Sequence, residues 1–62
     1  MKEIQIKYNE KIDEIDVKIK LLQQIVIKHN TDFKMNSNNW GYVGDVSYIN
    51  DKLDEIISFF NL

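Results

Sequence analysis

Between Lys2 and His29 the chain carries neither glycine nor proline, and apolar residues recur at Tyr8, Ile12, Ile15, Ile19, Leu22 and Val26, with gaps of 4, 3, 4, 3 and 4. That spacing is the a/d pattern of a heptad, and few other secondary structures satisfy it, because only a helix brings residues three and four apart onto one face. Two short segments, IQIKY and VKIKLL, also alternate in a strand-like way and are rich in β-branched side chains. A strand reading fails on length: strands typically run ~5–6 residues, and the 3-4 spacing continues through both segments. The pattern predicts one long helix over about 2–29.

A second stripe follows at Val46, Ile49, Leu53, Ile56 and Phe60, with gaps of 3, 4, 3 and 4. Asp45 or Ser47 suits its N-cap, since a short polar side chain can accept a hydrogen bond from the free N–H groups of a first turn. The prediction is a shorter helix over about 46–60, joined to the first by a connector over 30–44. At 1.5 Å per residue the two helices measure ~40 Å and ~22 Å, so a folded-back second helix covers only the C-terminal half of the first.

The width of the apolar surface agrees with that geometry. From Val17 to Ile27 apolar residues occupy more than one face, whereas before Val17 they narrow to Ile4, Tyr8, Ile12 and Ile15. A broad face needs two neighbours and a narrow seam needs one. The expected architecture is therefore all-α, a single domain over 1–62. It is a helical hairpin that assembles into a homo-oligomeric, coiled-coil-like bundle through Ile4, Tyr8, Ile12, Ile15, Ile19, Leu22 and Val26. Lys11 and Asp16, with Lys18 and Gln23, flank the seam where inter-chain pairs set register. Size points the same way. At 62 residues the chain buries only ~60% of its unfolded surface even when compact, and such small folds are usually reinforced by disulfides, metal or oligomerisation. There is no cysteine and only one histidine, His29, so oligomerisation is the remaining route.

The same inventory narrows function. The net charge of −2, with every basic residue a lysine, argues against a nucleic-acid binder, which needs a basic face and commonly uses the arginine fork. No apolar run approaches the ~18 residues of a membrane span, and MKEIQIKYNEK lacks the apolar core of a signal peptide. With one histidine and no cysteine, no Ser/His/Asp or Cys/His set assembles, so an enzyme is not expected, nor is a cofactor or metal. Asp13, Glu14 and Asp16 read as a solvated helix face, and His29 at a d position as a boundary histidine whose role the sequence leaves open. Abundant Ile, Lys and Asn, with no Ala, Arg or Pro, suit an AT-rich genome.

The connector carries what chemistry there is. Both glycines, the only tryptophan and two of three tyrosines fall within residues 38–50, NNWGYVGDVSYIN. One reading is structural: Gly41 and Gly44 permit unusual backbone angles while Trp40 and Tyr42 close the end of a bundle. The other is a binding loop, because fifteen residues exceeds what a hairpin of helices requires. In that reading Phe33, Trp40, Tyr42 and Tyr48 supply rings to stack on a base, Asn38 and Asn39 supply amides, and Lys28 or Lys34 meets a phosphate. GYVG lacks the remainder of a phosphate-binding loop.

The segment from Trp40 to Asn50, WGYVGDVSYIN, followed by Leu53, Glu55, Ile56 and Phe59, resembles a motif W-G-x-V-G-D-[LV]-x-x-[IV]-N found in small uncharacterised helical phage proteins. The resemblance covers about 23 residues at the C-terminal end. In architecture the chain is similar to phage-encoded nucleotide-signal sponges of the sequestin-like kind. That likeness implies a non-enzymatic protein in the cytoplasm of an infected bacterial host. It would sequester a nucleotide-derived immune signal, a cyclic nucleotide or ADP-ribose derivative, in a pocket between subunits. Such a pocket requires the lysines of several copies to converge. The alternative expectation is a protein-interaction module that inhibits or adapts a host or phage protein through its helical surface.

Overall fold

In a computed structural model, which describes residues 2–60, the chain is a hairpin of two helices, α1 (Lys2–Met35) and α2 (Gly41–Phe59). Both expected helices are present, with different boundaries. Helix α1 continues six residues past His29, and α2 begins at Gly41 rather than Val46, so the fifteen-residue connector shrinks to residues 36–40. The segment 30–35 stays helical because its polar side chains turn back onto the helix that carries them. The Thr31 hydroxyl donates to the Ile27 carbonyl at 3.1 Å, Asn36 Nδ2 donates to the Asp32 carbonyl at 3.1 Å, and Lys28 pairs with Asp32 at 3.1 Å. Read from composition these residues looked like turn formers; here each occupies an i, i+4 relation that a helix supports.

The turn is made by backbone bonds from Asn36 N–H to the Phe33 carbonyl (2.9 Å) and from Asn39 N–H to the Asn36 carbonyl (3.0 Å). Neither Asp45 nor Ser47 caps α2, since both lie inside it. Asn39 does so instead, its Oδ1 accepting from Gly41 N–H at 2.8 Å and satisfying one of the donors a helix start leaves free. Gly41 permits that approach: a Cβ there would stand 3.0 Å from Asn39 Oδ1. Gly44 is different. It sits in the first turn of α2, with its N–H bonded to the Trp40 carbonyl at 3.2 Å, and a Cβ would meet nothing within 4 Å. The expectation that both glycines serve unusual backbone angles is thus replaced by a close approach at one and open helix at the other. Gly44→Ala should accordingly stabilise the protein by about 0.4–1 kcal/mol, through the reduced freedom of the unfolded chain. Denaturant midpoints of the two proteins test this, and a loss of stability would mean that another surface packs against Gly44.

The two helices touch at the turn and separate beyond it. Two helices packed 8–10 Å apart would span roughly 13–15 Å across their Cα cylinders, whereas the molecule measures 54 × 24 × 14 Å. Along the α2 stripe Val46 is 36% exposed and Ile49 half-buried, and exposure rises only past Ile49, through 40% at Leu53 to 57% at Ile56 and 63% at Phe60. No described residue is fully buried. The radius of gyration is 16.1 Å, against about 11 Å for a compact domain of this length. The accessible surface of 6040 Å² exceeds by roughly 1,800 Å² the ~4,200 Å² of a compact monomer of this mass.

Candidate functional site

The inner side of the helix corner holds a cleft of about 390 Å³. Val26, Ile27, His29, Asn30 and Phe33 line it from α1, and Tyr42, Val43 and Val46 from α2. Tyr42 is its keystone. It is the second residue of α2, and its ring meets His29 edge-on at 5.0 Å between centroids and Phe33 at 6.0 Å, with interplanar angles of 67° and 64°. Edge-to-face packing of this kind places the positive ring edge of one aromatic on the negative face of another. The spacing that makes it possible is the heptad itself: after Val26 the a/d pattern continues to His29 and Phe33, so the stripe runs straight into the corner.

His29 also makes the polar contact between the helices, its Nε2 lying 3.0 Å from Asp45 Oδ2. The imidazole is largely shielded while the carboxylate is mostly in water, so the bond fixes the orientation of the ring more than it stabilises the fold. Asp45→Asn should cost no more than about 1 kcal/mol, the usual net worth of one hydrogen bond. A loss several times larger in a denaturation experiment would show that the pair is enclosed in the assembled protein.

Of the residues expected to bind a ligand, Phe33 and Tyr42 meet in this cleft. Asn38, Asn39 and Trp40 line a smaller depression of about 300 Å³ with Phe33, Ser37 and Val43. Trp40 does not close the end of the hairpin: it is 82% exposed. Lys28 lies along α1 in its ion pair with Asp32, and Lys34 lies in the last turn of α1, where a cation complements the helix dipole. Tyr48 lies on α2 away from the cleft, with the Lys52 ammonium 5.5 Å from its ring centroid. None of the eight cleft residues is a lysine. His29, Val26, Ile27, Asn30, Val43 and Val46 were not anticipated as cleft residues. The signal for the first two was present in the heptad; ending the helix at His29 concealed it.

Among the expected interface residues, Ile4, Tyr8, Ile12, Ile15 and Ile19 form an exposed stripe on α1, Leu22 is half-buried, and Val26 turns into the cleft. Among the described residues no three His, Cys, Asp or Glu side chains gather as a metal site. No described helix is long and apolar enough to cross a membrane. What the corner offers chemically is an apolar, aromatic-walled recess lined by residues with three polar groups, the His29 imidazole, the Asn30 carboxamide and the Tyr42 hydroxyl. Comparison with protein-family models, with curated proteins and with solved structures finds no match to this chain.

Proposed function

We propose that the protein is a non-enzymatic helical interaction module, which associates with copies of itself and engages a partner protein through its apolar helical surface and corner cleft. One observation carries this reading: the apolar stripes of both helices stand in solvent, leaving roughly 1,800 Å² more surface exposed than a compact chain of this mass retains. Contiguous exposed apolar surface beyond a few hundred Å² is characteristic of interaction sites. The cleft, mostly apolar and without a lysine in its lining, suits an aliphatic or aromatic side chain presented at i, i+3 and i+4 of a partner helix. The charge of α2 favours a basic partner, since it holds Asp45, Asp51, Asp54 and Glu55 against Lys52 alone.

A second reading is favoured by the aromatic wall of Phe33 and Tyr42. The cleft has the size of a small-molecule pocket, and two rings at its wall would hold a planar base, as in a sponge for a nucleotide-derived immune signal. For that use the phosphates would need lysines from another copy.

One titration separates the two. Trp40, the only tryptophan, lies exposed beside Phe33 and Val43 and reports on cover of the turn. Addition of a basic amphipathic helical peptide is expected to shift its emission to shorter wavelength and raise the thermal midpoint, because a ligand of the folded form alone adds RT ln(1 + [L]/Kd). An acidic peptide of the same apolar pattern should do so more weakly. If cyclic nucleotides or ADP-ribose derivatives raise the midpoint and both peptides leave it unchanged, the protein is a small-ligand binder and the first reading falls.

A further inference from the structure

We infer that the second copy sits antiparallel, with the free N-terminal stripe of each α1 seated in the wedge between the helices of the other. This rests on the self-association proposed above and specifies its surface. The wedge is the space that opens between α1 and α2 past Ile49, bounded by the part of the α2 stripe that grows more exposed from Leu53 to Phe60. The occupant that fits is on the same chain. Helix α1 has 34 residues and α2 has 19, so 15 residues of α1, roughly 22 Å, extend past the reach of α2. They carry the narrow seam of Ile4, Tyr8, Ile12 and Ile15.

The stripe sets the register. Tyr8, Ile12, Ile15, Ile19, Leu22, Val26, His29 and Phe33 form eight successive a/d positions, whose midpoint falls between Lys20 and Leu21. Turning one copy end for end about that midpoint opposes every a position to a d position. Ile19 then meets the partner's Leu22, and Tyr8 meets the partner's Phe33 at the mouth of its cleft. Each corner cleft thereby has the other chain at one edge of its mouth.

Charge selects the direction. Residues 2–15 hold three lysines against four carboxylates, while residues 26–35 hold two lysines against one. Antiparallel pairing sets these regions of opposite sign against each other, and it opposes the helix dipoles favourably. Parallel pairing would set like on like. The area suffices: a stable interface needs about 800 Å² from each partner, and the excess surface of each chain is about twice that.

The experiment uses the absence of cysteine from the chain. Nitroxide labels are placed on Glu10→Cys and, separately, on Gln24→Cys, both on the outer face of α1 away from the stripe. Inter-chain distances are read by double electron–electron resonance and the mass by light scattering. Each register step adds 1.5 Å, so the Glu10 labels should be offset along the axis by about 31 Å and the Gln24 labels by about 10 Å. A dimer whose Gln24 distance is clearly the shorter supports the arrangement. A dimer with equal short distances at both positions is parallel and overturns this inference alone. A monomer with no inter-chain distance overturns it together with the proposed self-association.

Discussion

Ile19→Asp is expected to abolish the native assembly, leaving a chain that is unfolded or monomeric at micromolar concentration. The prediction discriminates because the two alternatives differ several-fold. In a lone hairpin Ile19 is 51% exposed, and a surface substitution of that kind changes stability by no more than about 0.5 kcal/mol. In a bundle whose seam passes through Ile19, the new carboxylate loses its water without gaining a partner, and an uncompensated buried charge costs on the order of 3–5 kcal/mol. In a symmetric dimer each copy brings one such charge to the same seam. Light scattering and circular dichroism on both proteins decide between the two. If the unsubstituted protein is a well-folded monomer, or if Ile19→Asp assembles as it does, the self-association reading is wrong.

Tyr42→Ala should be the most damaging substitution near the turn, and Trp40→Ala the most harmless of the aromatic ones. Tyr42 is half-buried and holds two edge-on aromatic contacts that join α2 to α1. Removing the ring of a fully buried aromatic costs ~3–5 kcal/mol, and partial burial reduces that to about 2–3 kcal/mol, a large share of what a chain this small commands. Trp40 stands outward on the turn, and its removal should stay within about 0.5 kcal/mol. Denaturant unfolding of the two variants compares them directly. Equal losses would mean that a second chain covers Trp40 in the assembled protein. The pair also separates fold from binding: Trp40→Ala keeps the hairpin, so any loss of partner or ligand affinity in it reports on contact.

Much of this was legible in the residues. Helix α1 follows from a 3-4 spacing that a 28-residue stretch without glycine or proline sustains, and helix α2 from five apolar residues in the same spacing. Periodicity of this kind is a property of the chain's own geometry and needs no neighbour to interpret it. The exposed seam of Ile4, Tyr8, Ile12 and Ile15 was legible for the same reason, as a stripe longer than anything in the chain that can cover it.

The turn was not legible, because its residues have two uses. Thr31, Asp32 and Asn36 favour loops when their side chains compete for local backbone groups, yet here they bond to carbonyls and a lysine one turn away inside α1. Composition cannot choose between those states; the continuation of the stripe through His29 and Phe33, packed under Tyr42, does. The aromatic roles were decided at the same level. Sequence places Trp40 and Tyr42 two residues apart in one cluster, but successive positions at a helix start point in different directions. Only the path of the chain out of α1 aims Tyr42 into the corner and Trp40 away from it. The sequence by itself thus determined that there are two helices and which face of each is apolar, since both follow from local spacing. The tertiary structure alone decided which aromatic is packed, and hence where the cleft lies, since these depend on contacts between residues far apart in the chain.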